Sequence, residues 1–328
     1  MKKNIAIIMG GYSSEYHISL KSGAVVAQHL DSQKFNTYSI IITSESWYHK
    51  DDKGQQHPIL KDDFSLMLHG EKIKFDCVFN AIHGTPGEDG LMQAFFELLK
   101  LPQTSCDHYQ AALTFNKRDL LSALSPYGIK CATSYFLNEG DQINADEIVQ
   151  KVGLPCFVKA NRAGSSYGIS KVYQKEDLHG AIKKAFEEDN EIIIESFLDG
   201  IEVSVGVITY KGEIKVLPMT EIISENDFFD YEAKYEGKSQ EITPARISDK
   251  QQKKVAKIAK KVYKVLKMKG FSRSEFIIID DEPFMLELNT TPGLTEESIL
   301  PKQAKAAGIS LADLFGSSIE EALKNNNS

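Results

Sequence analysis

Cysteine is scarce in this chain: Cys77, Cys106, Cys131 and Cys156 are the only four in 328 residues. Each is some two dozen residues or more from the next, so no pair has the spacing of a metal knuckle or a redox C-x-x-C. No window approaches the roughly 18 uninterrupted apolar residues of a membrane span. Nothing reads as a secretory leader either: the apolar run in "MKKNIAIIMGG" lasts about five residues and stops at a glycine pair, as a first buried strand does. Basic residues are outnumbered, 38 Lys and Arg against 46 Asp and Glu, for a formal charge of -8. That balance speaks against a protein that coats nucleic acid, while leaving room for a local basic pocket. Walker A and G-x-G-x-x-G are both missing, so any nucleotide site must be argued without the commonest motifs. There is no internal repeat, and low complexity is confined to the tail "NNNS". These absences predict a cytoplasmic protein with reduced thiols and neither a nucleic-acid nor a membrane partner.

What is present has the composition of a folded protein, 42% hydrophobic and 26% charged. The length suits two or three domains. Up to about residue 105, strands ("NIAIIMGG", "TYSIIIT", "FDCVFNAIHG") alternate with helices ("SSEYHISLKSGAVVAQHL", "GLMQAFFELLKL"), which predicts an open parallel α/β sheet. In such sheets ligands gather beyond the carboxyl ends of the strands, where "GGYSSE" and "HGTPGEDG" fall. "DHYQAALTFNKRDLLSALSPYG" reads as helix. The strands "CATSYFLN", "CFVKA", "SKVYQ" and "EIIIESFL", with two helices, then form a small α+β unit over 106–196. In 197–328 a meander turns at Lys211-Gly212, a long charged loop covers 225–249, and a helix precedes two strands and a last helix.

Several side chains carry chemistry. In "SRSEFIIIDDEPFMLELN" a tight turn sets Glu275 against Glu287 and Asn289, the last two sharing a face, with Arg273 on the face of Glu275. Oxygen donors of this kind suit a hard divalent cation bridging to nucleotide phosphates, although an exposed charged hairpin has the same pattern. Lys159 ends a buried strand just before the Gly-Ser stretch "NRAGSSYGISK", and Lys117 stands on a helix. Both could neutralise phosphates, or simply be solvated edges. Glu195, Phe197, Leu198 and Glu202 could read adenine and ribose at a hinge, or be an ordinary strand end. Glu15 falls in the first turn of a helix, where it complements the macrodipole or anchors an ammonium. His83 and Glu88 occupy a second strand-to-helix turn.

Taken together, "GGYSSEYHISLKSG", "HGTPGEDG", "FVKANRAGSSYGISKV", "ESFLDGIEVSVG", "FFDYEAKY", "SRSEFIIID" and "LELNTTPGLTEESILP" resemble, in order and over nearly the whole chain, the D-alanine–D-alanine ligase family of the ATP-grasp superfamily. The resemblance implies a three-domain ATP-grasp fold, α/β then α+β, divided at 1–105, 106–196 and 197–328, with the two later domains enclosing ATP. It implies that Lys117, Lys159, Ser166, Glu195, Phe197, Leu198, Glu202 and Leu286 bind ATP, and that Glu275, Glu287 and Asn289 bind two Mg²⁺ (or Mn²⁺). Glu15 would hold the first D-alanine's ammonium, linked to Ser165 and Tyr235, with His83 supporting that end. Arg273 and the Gly293 N–H would stabilise the oxyanion, and Ser298, Lys234 and Ile299 would hold the second D-alanine. The implied product is D-alanyl-D-alanine, formed through an acyl phosphate for peptidoglycan precursors, by a homodimer. The chain departs from the pattern at Glu275, where most members have Asp, at Ala160, where proline is usual, and at Phe197, where tryptophan is. Tyr235 favours a dipeptide over a depsipeptide product. A D-alanine–D-lactate or D-serine ligase, another ATP-grasp ligase and a catalytically silent nucleotide binder are the alternatives.

Overall fold

The computed structural model describes residues 1–164, 168–224 and 239–325. β1 (Lys3–Gly10) is buried along nearly its whole length, as a central strand covered on both faces must be. α1 (Tyr16–His29) carries the chain over to β2 (Phe35–Ile42), which pairs parallel with β1. β3 (Trp47–Lys50), β4 (Gln56–Leu60), β5 (Ser65–Leu68) and β6 (Glu71–Ile73) then extend the sheet outward, each antiparallel to its neighbour. β7 (Cys77–Asn80) returns to the other side of β1, giving the order β6-β5-β4-β3-β2-β1-β7.

The expected open parallel sheet is thus only its β2-β1-β7 core, and the whole sheet is mixed. The reason is connection length. A parallel crossover needs a dozen or more residues, whereas the links from β3 to β6 are tight turns with Phe64, His69 and Gly70 at positive φ. α2 (Leu91–Leu98) closes one face, with Met92 and Phe96 against Phe64 and Phe75.

The single helix expected over 107–128 is two, α3 (His108–Phe115) and α4 (Lys117–Leu124). Asn116 breaks them apart in an extended conformation (φ -90°, ψ 104°), and its side chain accepts the Asp119 N–H at 3.0 Å. An Asn N-cap followed by a charged first turn wins over helix continuity. The central unit is an antiparallel sheet, β10-β9-β11-β8, from β8 (Ser134–Asn138), β9 (Cys156–Ala160), β10 (Ser170–Val172) and β11 (Glu191–Ser196). Its apolar face packs under α5 (Ala145–Val152) and α6 (Leu178–Phe186) through Leu137, Ile148, Val158, Ile182 and Ile194.

The third sheet comprises β12 (Ile201–Tyr210), β13 (Glu213–Val216), β14 (Thr220–Ser224), β15 (Ser239–Ile242), β16 (Phe271–Ile279) and β17 (Glu282–Asn289). The turn at Lys211-Gly212 has both φ values positive, 52° and 84°, as a two-residue hairpin prefers. β15 corrects the expectation of uninterrupted loop over 225–249; residues 225–238 lie outside the described residues. α7 (Asp249–Val265), with a full Ser248/Gln251 capping box, and α4 cover one face of this sheet. α8 (Ile299–Ala306) and α9 (Leu311–Asn325) end the chain. α9 packs on the first sheet, with the Phe315 ring 5.7 Å from Phe79. The termini of the chain therefore meet in one core, which draws the loop after β17 against the loop after β7.

Candidate active site

The β16–β17 ladder pairs Arg273 with Asn289 and Glu275 with Glu287, and a register shift follows at Phe276. Alternation then brings all four polar groups to one face. Arg273 Nε donates to Glu275 Oε1 at 2.9 Å, and Ser204 Oγ donates to the same oxygen at 3.3 Å. Asn289 Nδ2 lies 3.5 Å from Glu287 Oε1. Burial works against the Arg273 charge, but Glu275, Glu287 and Glu241 together outweigh it, so the guanidinium is held protonated. Two carboxylates and a carboxamide oxygen make an all-oxygen donor set. No group of three or more His, Cys, Asp and Glu side chains suited to a metal occurs among the described residues.

Beyond Asn289 the chain turns through Thr290-Thr291-Pro292-Gly293-Leu294, and side chains of the first domain hold this turn. Glu88, buried, accepts the Gly84 N–H at 2.7 Å with one oxygen and the Thr291 N–H at 3.1 Å with the other. His83 Nδ1 lies 2.8 Å from the Thr291 carbonyl, which can only accept, so Nδ1 carries the proton. Nε2 is left to accept from Ser22 Oγ at 2.9 Å, and that oxygen accepts the Leu294 N–H at 3.3 Å. Burial pulls the His83 pKa below its ordinary value, with Glu15 opposing, which agrees with this neutral tautomer. Burial and then the Glu15 charge push Glu88 up to about 8, against the pull of its two N–H donors and Arg273.

Glu15 is the N-cap residue of α1, not part of its first turn as expected. Its side chain makes no capping bond and instead lines the same cleft as His83, Arg273 and Gly293. Close backbone approach is built around it: a Cβ on Gly164 would stand 2.8 Å from Glu15 Oε2. Across the cleft a Cβ on Gly293 would meet Ser298 Oγ at 2.7 Å. Ser298 is the N-cap residue of α8, yet its hydroxyl bonds Thr295 Oγ1 at 2.7 Å and leaves the helix amides uncapped. Ile299 begins that helix and lines the cleft beside it. The cleft encloses roughly 370 Å³, within the range of small-molecule sites.

Lys117 opens α4 and points into this cleft, its Nζ 2.8 Å from the Ala163 carbonyl and 3.6 Å from Glu287. The remaining nucleotide-site candidates gather beside the cleft, not on its wall. Lys159 Nζ lies 2.8 Å from Glu195 Oε2, both side chains largely buried. Burial opposes the Lys159 charge, but Glu195, Glu287 and Glu202 raise its pKa on balance. Glu195 Oε1 is buried with no hydrogen-bond partner among the described residues. Phe197, half-buried with Leu198, lies 6.1 Å from the Phe157 ring, and Lys171 Nζ stands 4.1 Å over Phe197. Leu286, also half-buried, precedes Glu287 on β17. Ser165, Ser166, Lys234 and Tyr235 lie outside the described residues. Sequence reasoning missed Ser22, Thr291 and Lys171. "SLKSG" and "NTTPG" stood in the quoted motifs, but nothing local marks partners so far apart.

Comparison with known proteins gives a consistent result. Family models for the D-ala D-ala ligase N-terminus and C-terminus match residues 4–106 and 124–320. The chain is 71% identical over 321 residues to the D-alanine–D-alanine ligase of Flavobacterium johnsoniae, covering 98% of this chain and 99% of that protein. It superposes on the VanG D-Ala:D-Ser ligase of Enterococcus faecalis with a TM-score of 0.85 and 32% identity, covering 98% of this chain and 100% of that one. The Bacillus anthracis D-alanine–D-alanine ligase complexed with ATP gives a TM-score of 0.80 at 28% identity, covering 99% of both.

Proposed function

This chain belongs to the D-alanine–D-alanine ligase family, with the ATP-grasp fold and an ATP-dependent ligase's activity on D-alanine, and we propose the following division of labour among its residues. The three units 1–105, 106–196 and 197–328 supply, in turn, the first substrate's site, the wall behind the nucleotide, and the floor that bears metal and oxyanion donors. Lys159, Glu195, Phe197, Leu198, Glu202 and Leu286 take the adenine and ribose. Glu195 Oε1, buried and without a hydrogen-bond partner among the described residues, is an acceptor suited to an exocyclic amine. Lys117 meets the phosphates, with Ser166 of the Gly-Ser stretch. Glu275, Glu287 and Asn289 would hold Mg²⁺, whose chemistry when bound is to neutralise phosphate charge.

Glu15, with Ser165 and Tyr235, binds the first D-alanine's ammonium and leaves its carboxylate facing Arg273. A carboxylate oxygen of that D-alanine takes the γ-phosphoryl group of ATP, giving D-alanyl phosphate and ADP. The second D-alanine, its carboxylate on Ser298 and Lys234 and its methyl on Ile299, attacks the acyl carbon through its amine. The carbonyl oxygen gathers the negative charge, which Arg273 and the Gly293 N–H receive. Phosphate then leaves with the C–O bond, the nitrogen loses its proton, and the peptide bond remains. Shielding from water protects the acyl phosphate throughout. His83 and Glu88 keep the Gly293 N–H in place.

The observation that carries this reading is convergence: Glu15, His83, Arg273, Gly293 and Ser298, drawn from both ends of the chain, line one cleft. The dipeptide is assigned to peptidoglycan precursors, the enzyme to the cytoplasm, and its working form to a homodimer, which sedimentation tests. The decisive experiment measures phosphate release from Mg·ATP with D-alanine, L-alanine, or D-alanine plus D-lactate or D-serine, with products identified by mass. Release with D-alanine alone, yielding its dipeptide, is the expected result. A preference for the D-serine or D-lactate product would move the enzyme to that branch, and no amino-acid stimulation would remove the activity.

A further inference from the structure

We infer that Gln303 is a positioning residue for the second, attacking D-alanine, an inference that rests on the placement of that substrate's carboxylate at Ser298. Gln303 is completely buried on α8. Its amide stands in for a strand. β12 pairs with β14 up to Ser204↔Thr220 and with β13 from Val207↔Val216 onward, so between them lies a stretch where the neighbouring strand changes. Into that gap Gln303 Oε1 accepts the Gly206 N–H at 2.9 Å, while Nε2 donates to the Ser204 carbonyl at 2.8 Å and to Thr220 Oγ1 at 3.1 Å. A Cβ on Gly206 would come within 2.7 Å of Oε1, so a glycine is what admits the amide. Buried backbone groups require partners. Only a side chain with a donor and an acceptor side by side satisfies both, which an ionised Glu or a Met cannot.

The consequence is geometric. Ser204, held at its carbonyl by Gln303, turns its hydroxyl to Glu275, and Glu275 holds Arg273. One amide thus fixes the register between the helix that begins just after Ser298 and β12, the strand paired with β16, which carries Arg273 and Glu275. Leu300 and Ala304 press the same helix onto the core. Apolar contact is non-directional, however, and does not by itself fix how far the helix lies along the sheet. The amine must meet the acyl carbon while the carboxylate rests on Ser298, so this register is the distance that aligns attack.

Gln303→Glu, Gln303→Met and Gln303→Asn test the assignment in steady-state kinetics on the full chain, with thermal midpoints recorded alongside. The KM for the second D-alanine should rise about tenfold in the Glu and Met variants, the loss expected of a buried hydrogen-bond set, while the KM for ATP stays within about twofold. Gln303→Asn, one methylene short but chemically intact, should fall between them and wild type. In Gln303→Glu the ratio of its KM to the wild-type KM should shrink from pH 8 to pH 6, as the buried carboxyl takes a proton and regains a donor. A merely structural role would carry that pH dependence into the thermal midpoint and every KM alike, not into the second-substrate KM alone. Unchanged second-substrate KM in all three variants overturns the proposal. So does a parallel rise in every KM that tracks the loss of thermal midpoint. Wild-type enzyme that makes no dipeptide defeats the ligase reading and this inference together, whereas a productive wild type with the wrong KM pattern defeats this inference alone.

Discussion

The backbone N–H of Thr291 lies 3.1 Å from Glu88 Oε1, across 203 residues of sequence. The bond ties the turn that presents the Gly293 N–H to a carboxyl group whose pKa burial and Glu15 raise from 4.5 to about 8. Between those values the folded state keeps a proton that the unfolded state has lost. Stability therefore falls as pH climbs from about 4.5 to about 8 and levels off above, by at most on the order of 5 kcal/mol at about 1.36 kcal/mol per pH decade. His83, its pKa lowered, contributes in the opposite sense as pH falls through its unfolded value. Comparing wild type with Glu88→Gln by urea unfolding at pH 5, 7 and 9 cancels the histidine. The stability difference, wild type minus variant, should fall from pH 5 to pH 9, and a difference independent of pH would rule out the raised carboxyl.

Gly164 lies against the Glu15 carboxylate with no room for a methyl group. Gly164→Ala should push that carboxylate off the first D-alanine's ammonium. Its KM should rise about tenfold or more, a cost of at least about 1.4 kcal/mol, with the KM for ATP little changed. Isothermal titration with D-alanine and a non-hydrolysable nucleotide separates the two. Equal weakening of both ligands would place the effect in the neighbouring backbone instead.

Arg273 and Glu275 act as a unit because the carboxylate aims the guanidinium. Arg273→Lys keeps charge but loses the fork, and kcat should fall by about 10²- to 10³-fold with a small change in KM for ATP. Glu275→Asp draws the carboxylate back by one methylene from Arg273. A drop in kcat together with a higher Mg²⁺ requirement is expected, read from metal titrations of initial rate; a variant equal to wild type would sever Glu275 from both roles.

Lys159 and Glu195 form a largely buried pair. Removing only the cation strands a carboxylate in the interior, so Lys159→Met should cost about 3–5 kcal/mol of stability besides ATP affinity. Lys159→Met combined with Glu195→Leu should recover much of the stability and none of the binding, measured by urea unfolding and nucleotide titration. Recovery of binding in the double variant would take both residues out of the nucleotide site.

Much of the site could be read from residues alone wherever a local rule applied. Period-two alternation put Glu287 and Asn289 on one face, and the tight turn set them opposite Arg273 and Glu275, as the ladder does. Lys211-Gly212 specified its own hairpin. What local rules miss is partnership at a distance. His83 alone suggests polar surface; it becomes a buried neutral imidazole only because Thr291 and Ser22 arrive from other elements. The strands β3 to β6 escaped notice because each is five residues or fewer and carries too few alternations for a period to emerge. Asn116 was misread for a related reason, since its neighbours on both sides favour helix and only its capping bond reveals the break.

The clamp on residues 291–294 also bears on how such enzymes can be recombined. Family models divide the chain into a first module, residues 4–106, and a last, residues 124–320. Here the atoms that seat the Gly293 turn, on Ser22, His83 and Glu88, belong to the first module, while the turn itself belongs to the last. A chimera joined near residue 106 would bring together two halves of one precision part, each shaped by a different lineage. Grafting the 289–294 turn along with the incoming first domain, despite its place far down the chain, is the natural unit of exchange.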